Sequence, residues 1–230
     1  MSITISGGLI SHVRQLYRAA LDYLASGHGV RQGINGYTEY APPAYIISVA
    51  AVESFVNEAF LSDWTHITMK DSPIWNIPID TLENMELRLK LIIFPQFLFQ
   101  KSLSSSSQPY QDMNLLIKIR NEFIHYKMKG SPPKYLQNLD DRRISLVAPT
   151  PGKGDYIWVH KLYSSEGIRW AHNTACSVVQ ELVSFIPIPD PKTSPMYIAS
   201  TLAENFSEIP DSFARDWLLN KGIDPNSTHP

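Results

Sequence analysis

The chain has 230 residues, 43% hydrophobic and 18% charged, which fits an ordinary globular protein and excludes a disordered one. That length supports one good core, or one core plus a small appendage. The net charge of −2 lacks the basic excess of a protein that coats nucleic acid, so any nucleic-acid contact is expected to be local.

The single cysteine, Cys176, excludes an internal disulfide and a cysteine-based zinc site. The start, MSITISGGLI, carries neither a basic region nor a long apolar run. No stretch approaches the ~20 apolar residues that span a bilayer. A cytoplasmic protein with no membrane partner is expected.

Apolar positions at Leu9, Val13, Leu16, Leu21 and Leu24 predict a helix over 9–26, stopped by Gly27. Pro42 and Pro43 open a second helix, APPAYIISVAAVESFVNEAFLSDW, because proline is tolerated in a first turn. It is apolar on nearly every side, which predicts a central position. Residues 65–79 read as loop. Asp80 and Glu83 suggest a capping box for a third helix, bent or ended near Pro95. After the connector SLSSSSQPY comes a helix from about Tyr110 to Met128, stopped by Gly130, Pro132 and Pro133. RISLVA and DYIWVHKLY flank the turn PTPGKG and predict a β-hairpin over 143–163. SSEGIRWAHNTACSVVQELVSFI is a last long helix, IPIPDPKTSP a linker, and the tail holds two short helical runs near YIASTLAENF and SFARDWLLN. The expected fold is all-α: a four- to five-helix bundle with an inserted hairpin over 1–186, then a Pro-containing linker and short helical tail over 187–230.

The stretch LLIKIRNEFIHYKMKG, residues 115–130, carries the most information. At ~100° per residue, Leu115, Leu116, Ile119, Phe123 and Tyr126 fall on one core-like arc. Ile117, Ile124 and Met128 make a second apolar strip almost opposite, with Arg120 on one shoulder and Asn121 and His125 on the other. A helix apolar on two faces needs a second covering surface, either another helix of this chain or a second copy. On the second helix, Glu53 and Asn57 share a face among apolar neighbours. A carboxylate there wants a cation, and Arg120 is the expected partner.

Arg120-Asn121-Glu122-Phe123-Ile124-His125 resembles the R-x4–6-H signature of the HEPN superfamily, and AAVESFVNEAF looks like the central helix of such domains. The resemblance covers roughly residues 9–186. It implies an all-α, HEPN-like bundle that pairs as a homodimer, so that two motifs face one cleft. It also implies a metal-independent endoribonuclease, of a kind found among toxin–antitoxin and antiviral defence proteins. The alternative within the same superfamily is a non-catalytic binding or assembly module. Members silenced by nucleotidylation carry Tyr two residues after the motif His. Here Lys127 holds that place and Tyr126 precedes it, so that regulation is not expected.

The chemistry fits these residue types. RNA cleavage by its own 2′-OH needs proton transfers and stabilisation of added negative charge. Histidine titrates near neutrality, so His125 can serve as general base or acid. Arg120 can donate two hydrogen bonds to phosphorane oxygens, and Asn121 can orient the His or the phosphate. Glu53 and Asn57 would support them. Lys118, Lys127 and Lys129 lie in a locally basic stretch suited to RNA phosphates. RNA and an antitoxin are the expected partners if the chain is active; no metal or cofactor is expected. Structural roles compete at each position: an Arg120–Glu53 ion pair between helices, an interface role for His125, a helix–helix hydrogen bond for Asn121, and a solvated edge for the lysines. The other histidines lack metal-binding spacing, and GKG at 152–154 is too short for a P-loop.

Overall fold

The structure is a computed structural model that describes residues 5–61, 65–66, 69–125, 131–146, 158–186 and 203–229. Among them eight α-helices alternate with short irregular segments. None of these helices is long and apolar enough to cross a membrane.

Helix α1 spans Ile5–Ala25. It ends where Gly27 takes φ +75°, with the Gly27 and His28 N–H groups bonded back to Leu24 and Tyr23, the left-handed stop expected of that glycine. Helix α2, Ala41–Phe60, carries Pro42 and Pro43 in its first turn. Its Ala44, Tyr45, Val49, Val52, Phe55 and Val56 are all buried.

The third expected helix is two: α3, Ile79–Glu83, and α4, Leu87–Phe99. Pro78, not Asp80, holds the cap position of α3, and no side chain caps it. Glu86 is extended, which breaks the ladder between the two helices. Pro95 does not end α4. The helix runs on to Phe99 and stops at left-handed Gln100, φ 55°. A mid-helix proline costs ~3 kcal/mol; here Pro95 and Leu98 are buried and the Phe60 ring packs against Phe94 and Phe99, so tertiary packing outweighs that cost.

Helix α5, Gln108–Ile124, carries the motif. His125 keeps the helical bond, its N–H donating to the Asn121 carbonyl at 2.9 Å. The expected extension to Met128 lies outside the described residues. A short helix, α6 (Tyr135–Asp141), follows the two prolines and was not expected. Helices α7, Ser165–Ser184, and α8, Phe213–Asn220, match the last long helix and the second tail helix.

The expected hairpin over 143–163 differs where it is described. Trp158–Leu162 is a 3-10 helix and Arg143–Leu146 is irregular, tied by one bond from the Leu146 N–H to the Lys161 carbonyl. Residues 147–157 lie outside the described set. The end of this segment turns elsewhere: Ser164 bridges Tyr37, and the Tyr37 and Tyr163 rings stack at 5.4 Å. The antiparallel sheet is built instead from β1 (Arg31–Gln32), β2 (Asn35–Gly36) and β3 (Thr228–His229), in the order β2-β1-β3. Gly33, at φ +69°, turns β1 into β2.

The chain forms two compact units. The first comprises Met1–Ser11, Ser48–Leu116 and Thr174–Ser207; the second comprises His12–Ile47, Ile117–Asn173 and Glu208–Pro230. The first unit centres on Phe55, which meets Phe60 and Phe206 edge-on at 6.3 and 5.6 Å. In the second, Tyr45 stacks on Phe123 at 5.7 Å and donates its hydroxyl to the Leu162 carbonyl at 2.8 Å. The tail expected as a separate segment over 187–230 contributes Phe206 to the first unit and Ile209, Ala214, Leu218 and β3 to the second.

The second unit also buries His172. Burial pulls its imidazole down to about 4; a hydrogen bond with Asn173 opposes this shift and Arg14 adds to it. The unfolded chain takes up this proton near pH 6.5, the folded chain only near pH 4. This contribution to stability is therefore full above pH 6.5 and is lost as pH falls toward 4, by about 3 kcal/mol. Urea unfolding at pH 7 and pH 4 checks it: His172→Gln, which cannot titrate, should lose that share of the pH dependence.

Candidate functional site

The motif residues sit at the C-terminal end of α5. That helix buries Leu116, Ile117 and Ile119, so its register is fixed by both apolar strips. Leu116 and Ile119 come from the expected core arc and Ile117 from the opposite strip. Ile124, at the exposed end of that second strip, stays 48% exposed. Asn121, His125 and Lys118 are exposed, whereas Arg120 is half-buried. The Arg120 Nε is buried and has no hydrogen-bond partner among the described residues. An unpaired buried N–H costs ~1–3 kcal/mol, so this guanidinium is left with a donor that finds no acceptor among the described residues. Lys127 and Lys129, expected to contact RNA phosphates, lie outside the described residues.

Glu53 and Asn57 are brought together, as their spacing on α2 requires. The cation placed between them is Lys90 of α4, not the Arg120 expected from the sequence. Its side chain is 0% exposed; its Nζ donates to Asn57 Oδ1 at 2.9 Å and to the Glu83 carbonyl at 2.6 Å, and lies 3.8 Å from Glu53 Oε1. Burial pushes the Lys90 ammonium down, and Glu53 and Glu83 oppose that shift. Lys90 lies in an apolar run of the sequence, LRLKLII, with no local pattern that marks it as buried. Lys90→Met should destabilise the fold by about 2 kcal/mol in urea unfolding, because it leaves the Asn57 oxygen and the Glu83 carbonyl without their donor. Glu53 is 39% exposed, so water screens its share.

A second feature has no counterpart in the sequence reading. A pocket of about 950 Å3 lies within the second unit, lined by the β1–β2 turn, the end of α6, the first turns of α7, and Arg215 and Asn226 of the tail. Asn35, one of its lining residues, holds the start of α7. The Asn35 Oδ1 accepts the Glu166 N–H at 3.2 Å and the Ser165 hydroxyl at 3.2 Å, while Ser164 Oγ accepts the Gly167 N–H at 2.7 Å. Together they cap α7. The pocket wall carries five cationic side chains and two carboxylates. Both carboxylates are engaged: Asp140 with Lys161 and the Ser145 hydroxyl, Glu166 with Arg169 at 2.9 Å and the Tyr17 hydroxyl at 3.1 Å. Arg169 also pairs with Asp211. These contributors are scattered from residue 32 to residue 226, so no local spacing could have revealed them; the only local sign was the adjacent pair Arg142-Arg143.

Among the described residues no group of three or more His, Cys, Asp or Glu side chains gathers as a metal site. Comparisons with models of known protein families, with curated proteins and with solved structures find no significant match.

Proposed function

We propose that the chain is a metal-independent endoribonuclease of HEPN type that works as a homodimer. The observation that supports this reading is the half-buried Arg120, its Nε without an acceptor, beside exposed Asn121 and His125. A purely structural motif would bury these groups with their hydrogen bonds made inside the protein. Here Asn121 and His125 meet solvent next to exposed Ile124, an apolar contact for a second copy.

One chain offers a single His125 on an open surface, so the two proton transfers call for two copies. His125 of one copy takes the proton from the 2′-OH as its oxygen bonds to phosphorus. Arg120 holds the non-bridging oxygens through charge-assisted hydrogen bonds. The bond to the 5′-oxygen then breaks, and His125 of the second copy gives that oxygen a proton. The products are a 2′,3′-cyclic phosphate and a 5′-hydroxyl. A role as a toxin or defence effector with an antitoxin partner belongs to the same proposal. The alternative, a non-catalytic HEPN-like binding or assembly module, keeps Ile124 and His125 as contact residues and assigns them no chemistry.

The test is cleavage of a broad set of RNAs by the purified chain in excess EDTA, with its oligomeric state measured by light scattering. Cutting by a dimer, ending in 2′,3′-cyclic phosphate, supports the enzyme. Intact RNA from a dimer favours the binding module, and intact RNA from a monomer sinks both.

A further inference from the structure

The geometry points to a second binding site, independent of the motif: the pocket of the second unit takes a small, diffusible phosphate ester or diphosphate, held by Arg143 and Arg215. The space is right for a small molecule, since such sites span roughly 300–1,000 Å3 and this pocket measures about 950 Å3. The charge is right as well. The chain as a whole is acidic by two charges, yet cations outnumber carboxylates on this wall five to two. Lys161 and Arg169 are spent on Asp140 and Glu166. Arg142 lies over the Trp170 ring at 6.0 Å. Arg143 and Arg215 have no ion pair among the described residues, and both are exposed. Two arginines that line one cavity without an ion pair of their own among the described residues suit a phosphate, whose oxygens accept forked hydrogen bonds from arginine.

The backbone at Arg143 fixes where that side chain starts and supplies the control for the test. Residue 143 is left-handed, φ 57°. It sits just past the end of α6, where the Ile144 N–H bonds back to the Leu139 carbonyl at 2.9 Å. Glycine is the cheapest residue for such a helix stop, and a side chain there is strained. The same left-handed stop ends α4 at Gln100; at Arg143 it leaves the arginine lining the pocket just past the end of α6. The rest of the wall is held rigid without the ligand. Asn35 and Ser164 satisfy the start of α7. The tail is pinned by buried Arg31, which donates to the Asp224 carbonyl at 3.1 Å and to the Ser227 hydroxyl.

Isothermal titration of the full chain with inorganic pyrophosphate tests the assignment. One site per chain is expected, weakened at least about tenfold in Arg215→Gln and in Arg143→Gly. Arg143→Gly should keep or raise the melting temperature, since glycine suits that backbone; this separates lost binding from lost folding. His125→Ala should bind as wild type does, so this result stands or falls apart from the ribonuclease reading. Absence of binding at millimolar pyrophosphate overturns the proposal, as does equal binding by wild type and both arginine variants. Arginine-dependent binding seen only with phosphatidic acid vesicles, or only with an RNA oligonucleotide, overturns it in favour of a lipid headgroup or a nucleic-acid backbone.

Discussion

His125→Ala should slow RNA cleavage in EDTA by about 10²–10⁴-fold, the range for losing a positioned general acid or base. Its stability should hardly change, because His125 is exposed and makes no side-chain hydrogen bond or ion pair among the described residues, and replacing such a residue shifts stability within about 0.5 kcal/mol. That contrast is what makes the variant decisive: a large rate loss cannot be blamed on unfolding. Arg120→Ala should lose a comparable factor through the transition-state charge it no longer meets. Arg120→Lys should recover only part of it, since an ammonium keeps the charge without the planar fork. Equal cleavage by wild type and His125→Ala, after removal of contaminating nuclease, would end the case for His125 as a proton carrier.

Gly167→Ala should destabilise the fold by about 3 kcal/mol. Helix propensity alone points the other way, favouring alanine inside a helix by about 1 kcal/mol. Packing decides the sign. A Cβ at Gly167 would lie 1.9 Å from the Tyr45 hydroxyl oxygen and 3.1 Å from Ser164 Oγ. Tyr45 cannot swing away: it is buried, stacked on Phe123, and bonded through its hydroxyl to the Leu162 carbonyl. Forcing it aside strains a packed core by ~1–3 kcal/mol and orphans a buried hydroxyl at a similar cost. The measurement is the urea midpoint of Gly167→Ala beside Tyr45→Phe and the double variant. The double variant should be less destabilised than the two single effects sum to, because Tyr45→Phe removes the atom that clashes. A Gly167→Ala chain as stable as wild type would show that the close approach is not there.

The helices were legible where one periodic pattern ran uninterrupted, as in α1, α2, α5 and α7, and where a terminus had its own chemistry, as at Gly27 and Pro42. They were less legible where two local rules competed. Pro95 reads as a stop, but the apolar residues around it bury well enough to carry the helix past it. Asp80 reads as a cap, but Pro78 before it starts the helix first. The segment 158–162 is rich in β-formers, and its aromatic and apolar side chains found partners in Tyr37 and the core instead of a cross-strand neighbour. Of the candidate site, the sequence placed Arg120, Asn121 and His125 near one helix end and paired Glu53 with Asn57. It missed Lys90, because a lysine in an apolar run looks like a solvated edge. It missed the cationic pocket altogether, since a cavity wall drawn from six separate segments has no period.

The join between β1 and β3 bears on how the chain is born. Arg31 reaches the Asp224 carbonyl across 193 positions of sequence, and β1 pairs on one side with β2 and on the other with Thr228–His229. A ribosome adds roughly 5–20 residues each second, so β1 waits on the order of ten seconds or more for its second neighbour. During that interval one edge of a strand and a buried-to-be guanidinium stand open to water and to other nascent chains, the exposed edge that favours mispairing. The strand is only two residues long, which leaves little template for a stranger to copy. The second unit is therefore completed only once residues 224–229 have been made, and a nascent chain stalled before residue 224 should expose the Arg31 loop to protease while α1 and α2 are already helical.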